Sequence, residues 1–224
     1  MKKLLSFVLA LTLACTCVLA FSSCGKKGKT LDEVKAAGEL VVATSPDFPP
    51  FESLEGEKVV GIEVEIMEKI CEKLGVTLNL KQMDFDAVLP GVTTGKFDCG
   101  MSGISVTTER QKNMLFTDPY CLAAQAIVVK TGSPITCKAD LSGKKIAVQT
   151  GTTASDFCIE NGYNVSGYQL NASAELALVE GKVDAWVIDD LTAADMVKED
   201  NEGKADADKL VILSEAMTTE PYAF

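Results

Sequence analysis

Arg110 is the single arginine in a chain of 224 residues that has no histidine. Lysine carries the rest of the positive charge. A lone guanidinium stands out for its planar fork, which grips a carboxylate through two parallel hydrogen bonds. Its surroundings suit that task. Met101-Ser102-Gly103-Ile104-Ser105 leaves an apolar strand and enters a hydroxyl-rich loop that leads to Arg110 at a helix start. Strand carboxyl ends are where open α/β sheets bind ligands. Gly103 allows close approach to the backbone, and Ser102 and Ser105 bring hydroxyls. A second strand end, Val148-Gln149-Thr150-Gly151-Thr152-Thr153, turns on a glycine into a helix start. Free N–H groups and the helix dipole there favour an anion. Asp189 follows the apolar run Ala185–Ile188 and offers a carboxylate to an ammonium, while Asp190 is placed to cap the next helix. Phe48, Phe51 and Phe85 lie next to turns, as core or as walls for a ligand. A guanidinium and a helix terminus for a carboxylate, an acid for an amine and aromatics for the remainder describe a free α-amino acid, held with no reaction implied.

Composition narrows the alternatives. Without histidine there is no Ser-His-Asp or Cys-His catalysis and no imidazole-ligated metal. No catalytic residue, metal site or cofactor is expected, although carboxylate-only chemistry would not need a histidine. A formal net charge of −11 argues against a nucleic-acid partner, which would select a basic face. Hydrophobic residues make up 47%, well above the disordered range.

The elements that must position these residues alternate between strand and helix, the α/β pattern. A short helix over 31–38 leads into the apolar run Glu39–Thr44. Over Gly61–Leu74, Ile62, Ile66, Ile70 and Leu74 recur every four residues and predict an amphipathic helix that faces the core through that stripe, ended by Gly75. Thr77–Gln82 alternates as a strand, Asp86–Thr94 reads as helix despite Pro90, and Tyr120–Lys130 is an extended run. From Ser142 onward the pattern restarts with strands at Lys145–Thr150, near Tyr168, at Ala185–Ile188 and at Leu210–Leu213. Helices fall between them at 152–160, 172–180 and 191–199. Two βαβ-rich lobes joined by extended crossovers suit a cleft that closes on a small ligand.

The N-terminus reads as a targeting segment. Lys2 and Lys3 precede the apolar run Leu4–Ala20, and Phe21-Ser22-Ser23-Cys24 resembles a bacterial lipobox, whose cysteine is lipidated after cleavage. The expected organisation is a lipoprotein signal peptide at 1–23 and a tether at 24–30. Lobe I follows at 31–127, lobe II at 128–218, and a return crossover toward lobe I at 219–224. Cys71, Cys99, Cys121, Cys137 and Cys158 remain, odd in number and irregularly spaced, and read as free thiols or at most one disulfide.

The chain resembles the bacterial extracellular solute-binding proteins of family 3, the polar amino-acid receptors of ATP-binding-cassette (ABC) importers. The resemblance is carried by Ala43–Glu52 (ATSPDFPPFE), the signature over Gly61–Leu74, and Met83-Asp84-Phe85. It continues in Gly95–Asp98, Ser102–Arg110, Phe116–Tyr120, Gly143–Thr153, Gly181–Ala185 and Glu220-Pro221-Tyr222. It implies an α/β, two-lobe periplasmic-binding-protein-like (type II) fold. It also implies capture of a free L-amino acid by closure of the lobes, and delivery to an ABC permease by a monomer lipid-anchored through Cys24 to the outer face of the cytoplasmic membrane, periplasm-facing if the cell is Gram-negative. The implied ligand-binding set is Phe48, Phe85, Ser102, Gly103, Ser105, Arg110, Gln149, Gly151, Thr153 and Asp189. Within it, Arg110, aided by Ser105 and the Thr153 N–H, takes the carboxylate. Asp189 and the Gly103 carbonyl take the ammonium, and Phe48, Phe85 and Gln149 take the side chain.

Departures from the family pattern set two further expectations. Ser45 stands where many receptors for basic amino acids have Asp, which points to a neutral polar ligand. The family continues past Glu220-Pro221-Tyr222 with a strand and closing helices, whereas this chain stops at Phe224. The expectation is a C-terminally truncated fold of low stability. Two other functions fit the same scaffold: a dehydratase acting on amino-acid-like substrates, and the ligand-sensing module of a receptor.

Overall fold

The computed structural model describes residues 28–224. The expected signal peptide, Cys24 and most of the tether lie outside the described residues. Among the described residues, no helix is long and apolar enough to cross a membrane.

In chain order the elements are α1 (Leu31–Ala37), β1 (Glu39–Thr44), β2 (Ser53–Glu55), β3 (Lys58–Val60), α2 (Ile62–Leu74), β4 (Thr77–Gln82), α3 (Phe85–Thr93) and β5 (Cys99–Gly100). They continue with β6 (Cys121–Ala123), β7 (Gln125–Lys130), β8 (Lys145–Gln149), α4 (Thr153–Glu160), β9 (Asn164–Tyr168) and α5 (Asn171–Val179). The last are β10 (Ala185–Asp189), α6 (Asp190–Asp200), β11 (Leu210–Ile212) and β12 (Glu220–Tyr222).

The first lobe is a parallel sheet in the order β4-β1-β5. α1 starts on a capping box, in which the Thr30 hydroxyl accepts the Glu33 N–H and the Glu33 carboxylate accepts the Thr30 N–H. α2 packs on the sheet through Val64, Met67 and Cys71 against Val42 and Met101. Its orientation differs from the periodic reading. Ile62 is 47% exposed, and the buried positions are Glu63, Val64, Met67 and Cys71. The face turned to the core is centred on Val64, Met67 and Cys71, beside the stripe of period four, and Glu63 lies at its edge with polar partners described below.

The second lobe is a five-stranded mixed sheet, β11-β7-β10-β8-β9, with β8 parallel to β9 and β10, and β7 antiparallel to β10 and β11. Trp186 in β10 is wholly buried among Ala174, Leu178, Ala193 and Val197 from α5 and α6. The five thiols of the described residues are free, with Cys71 and Cys158 buried and the other three partly so.

The lobes are joined by two antiparallel strands, β6 and β12. The whole of β7 belongs to the second sheet, so the outgoing crossing lies at Ala124, a few residues before the expected 127/128 boundary. Asp190 fixes it: its N–H donates to the Ala124 carbonyl (2.8 Å) and its Oδ1 accepts the Ala124 N–H (3.1 Å). Asp190 thus braces the crossing as well as starting α6.

Candidate functional site

A narrow cleft lies between the lobes. Its first-lobe wall is made of Ser45, Asp47 and Phe48 after β1, Phe85 at the start of α3, and Ser102, Gly103, Ser105 and Arg110 after β5. Gln149 at the end of β8, Thr152 and Thr153 at the start of α4, and Asp189 at the end of β10 face them. Nine of the ten expected residues line this space. The tenth, Gly151, stands beside it.

Arg110 sits on a short 3₁₀ turn (Arg110–Lys112), not an α-helix. Its Nη1 donates to the Ser105 carbonyl at 2.9 Å, and its Nη2 crosses the cleft to the Gly151 carbonyl at 3.3 Å. The guanidinium lies 5.9 Å from the Phe85 ring centre, a cation–π placement. Burial pulls its pKa down, while Asp156, Glu220 and Asp189 oppose that shift. Gly151 has φ +79° and packs against Asp86, from which a Cβ would lie 3.1 Å away.

Gly103 also has positive φ (+53°), and a Cβ there would collide with the Phe48 ring. The expected freedom for a ligand is instead used by Phe48, which stacks on Phe51 with ring centres 5.7 Å apart. Thr152 caps α4 by accepting the Ser155 N–H (3.1 Å), which leaves the first turn of α4 open to the cleft.

Asp189 is buried, and its Oδ1 accepts the Tyr222 hydroxyl. Burial, reinforced by Glu220, raises its pKa to about 7, with the Tyr222 bond opposing. Glu220, on the returning strand β12, accepts the Ser105 and Thr153 hydroxyls at 2.6 Å each and the Thr218 hydroxyl at 2.8 Å. A hydroxyl has one proton to give. With that proton on Glu220, the Ser105 side chain presents only lone pairs to the cleft, so the donor expected of it toward a carboxylate is already engaged. The Thr153 backbone N–H is not.

Asp47 is the main residue missing from the sequence-derived set. Its Oδ2 accepts the Asn171 N–H across the cleft (2.6 Å), and its Oδ1 accepts from the Gln149 amide and the Ser45 hydroxyl (3.3 Å each). Gln149 in turn accepts the Asn171 amide (3.0 Å) and donates to the Gln169 carbonyl (2.9 Å). Burial pushes the Asp47 carboxyl up, and these donors pull it back. Asp47 lies within the motif SPDFPPF, but nothing in the sequence pairs it with a residue 124 positions away.

The cleft thus brings together a guanidinium, a helix start, a buried carboxylate, two aromatic rings and a polar cluster of Ser45, Asp47 and Gln149. Proteins of known family share this architecture. Residues 40–216 match the bacterial extracellular solute-binding proteins, family 3. The L-cystine-binding protein TcyJ of Escherichia coli (strain K12) is 32% identical over 196 residues, covering 85% of this chain and 71% of that protein. The arginine-bound form of a truncated ArgBP from T. maritima superimposes with a TM-score of 0.79 at 38% identity, covering 86% of this chain and 89% of that one. The ancestral amino acid-binding protein AncCDT-1, a precursor of cyclohexadienyl dehydratase, gives 0.77 at 32%, covering 87% and 84%. These relatives bear out the two-lobe α/β fold expected from the sequence. The chain belongs to the bacterial extracellular solute-binding proteins of family 3.

Proposed function

We propose that this protein captures a free L-α-amino acid between its lobes and hands it to an ABC permease. Arg110 and the Thr153 N–H receive the α-carboxylate, and Asp189 with the Gly103 carbonyl receives the α-ammonium. Phe48 and Phe85 flank the side chain. One observation carries the reading: Arg110 and Asp189 come from opposite lobes yet line the same cleft, so a zwitterion between them joins the lobes. Charge-assisted bonds of this kind contribute about 1.5–3 kcal/mol each, and micromolar affinity corresponds to about −8 kcal/mol.

The side chain in this reading ends in a cation. The expectation of a neutral ligand rested on Ser45, yet Asp47, two residues on, supplies a carboxylate to the same end of the cleft. Asp47 and Asp189 line the cleft with the single guanidinium of Arg110, and Glu220 stands behind Ser105 and Thr153, so the site favours a ligand of net positive charge. The arginine-bound relative supports the same class. A neutral amide-bearing ligand is the second reading, favoured by the donor and acceptor of Gln149 beside Asp47.

No reaction is part of this proposal, and the receptor and dehydratase functions give way to it. The protein is held as a monomer at the outer face of the cytoplasmic membrane by lipid on Cys24, and the permease is its partner. Calorimetry of the purified protein against the twenty amino acids tests the function. At least one should bind at micromolar concentration and be recovered chemically unchanged by mass spectrometry. Absence of binding by all twenty, or conversion of the bound one, would overturn it.

A further inference from the structure

Two carboxylates are buried together beneath the floor of the cleft. Glu52, after the Phe48–Phe51 turn, and Glu63, in the first turn of α2, are both 0% exposed. The Oε1 of Glu52 accepts the Ser102 hydroxyl at 2.8 Å, and Ser102 Oγ accepts the Ser45 N–H at 3.1 Å. Both oxygens of Glu63 accept the Gly103 N–H (3.2 and 3.1 Å), and its Oε1 also accepts the Tyr120 hydroxyl beside β6. Each of these bonds holds a residue of the cleft wall or, at Tyr120, the residue that leads into the strand linking the lobes.

No donor reaches the other oxygen of Glu52, Oε2. Neither glutamate takes part in an ion pair among the described residues. The titratable groups facing the pair are Asp47 from the loop after β1, Cys99 in β5, and Tyr120 and Cys121 at β6. None of them is a cation. Two adjacent buried carboxylates without a counter-charge cannot both ionise. Glu63 already has donors on both oxygens, the environment of a charged acceptor. Glu52 has one oxygen with no donor, where a proton removes the unsatisfied acceptor and becomes a donor itself.

We infer that Glu52 is a neutral carboxylic acid that donates its Oε2 proton to the Glu63 carboxylate, and that this acid–carboxylate pair positions Ser102 and Gly103 at the floor of the cleft. Glu52 and Glu63 are positioning residues, since they touch the wall and not the ligand. Burial and the charge on Glu63 push the Glu52 carboxyl well above its ordinary value, in keeping with that assignment. Only the effect on ligand binding rests on the proposed function; the location of the proton does not.

Infrared difference spectroscopy of the purified protein in mildly alkaline buffer reads the proton directly. The wild type should show the carbonyl stretch of a protonated carboxylic acid, and Glu52→Gln should remove it. The amide keeps an acceptor for Ser102 and a donor for Glu63, so Glu52→Gln should bind amino acid within about twofold of wild type. Glu63→Gln replaces the charged acceptor of the Gly103 N–H and should weaken binding about tenfold. Absence of the acid band from the wild type, or its survival in Glu52→Gln, overturns the assignment whether or not any ligand binds. The acid band in the wild type together with wild-type affinity in Glu63→Gln overturns the positioning role.

Discussion

The Asp47 carboxylate accepts the Asn171 backbone N–H across the cleft at 2.6 Å. This bond ties the loop after β1 in the first lobe to the start of α5 in the second. Asp47 also lines the cleft, and in the proposed pose it meets the far end of the bound side chain, which would couple closure to recognition.

Replacing that charge should therefore change selectivity. In Asp47→Asn the remaining amide oxygen can still accept the Asn171 N–H, so closure is largely retained while the negative charge is lost. The wild type should prefer L-arginine over L-citrulline, its neutral isostere, by about tenfold or more, the size of one charge-assisted bond. Asp47→Asn should bring the ratio close to one. An equal affinity for the two ligands in the wild type would rule out the cationic reading and leave the amide-bearing one.

Arg110 should be required for every ligand, whatever its side chain. Its guanidinium lies between the Ser105 and Gly151 carbonyls, which hold the fork in place. Arg110→Ala should lower amino-acid affinity by at least a hundredfold, consistent with loss of about 3 kcal/mol. Arg110→Lys should not restore it, because an ammonium cannot form the two parallel bonds. Circular dichroism should show the fold intact in both variants, and calorimetry reads the affinity.

Binding should strengthen as pH rises through about 7. The buried Asp189 carboxyl titrates at about 7 because burial disfavours its charged form. Below that pH the ligand ammonium has to displace a proton, so affinity falls by up to about tenfold per pH unit. Above it the carboxylate is ready. Folding stability runs the opposite way. A carboxyl raised from its ordinary value of 3.8 holds its proton more tightly in the folded state, so stability declines as pH rises from about 4 toward 7. Asp189→Asn should remove both slopes in calorimetry and thermal melts, and a pH-independent wild-type affinity would exclude Asp189 as the ammonium partner.

The chemistry of the site was more legible in the sequence than its wiring. Arg110 drew notice as the lone arginine, and Gln149, Thr153 and Asp189 by their places at strand ends and a helix start. The lobe-spanning bonds were not legible, because they join residues far apart in sequence: Asp47 to Asn171 spans 124 positions. Glu63 was hidden for a different reason. A stripe counted over Ile62, Ile66, Ile70 and Leu74 gives a charged residue no inward role, although Glu63 projects between Ile70 and Leu74 on the helix. The Gly103 N–H and the Tyr120 hydroxyl donate to its carboxylate there, and a hydropathy pattern does not register polar partners inside the fold.

Gly103 provides a test of the cleft wall that needs no ligand chemistry. Its φ of +53° already disfavours any side chain, and the Phe48 ring occupies the place of a Cβ. Gly103→Ala must either push Phe48 off Phe51 and Tyr222 or shift the loop that carries Ser102 and Ser105. Strain of this kind costs about 1–3 kcal/mol, and thermal melts should show a corresponding drop. A companion change separates the two routes. If displacement of the ring is the source, Phe48→Leu, which vacates part of that space, should recover most of the stability lost in Gly103→Ala, beyond the sum of the two single changes. If the backbone conformation is the source, the double variant should show simple addition of the two losses.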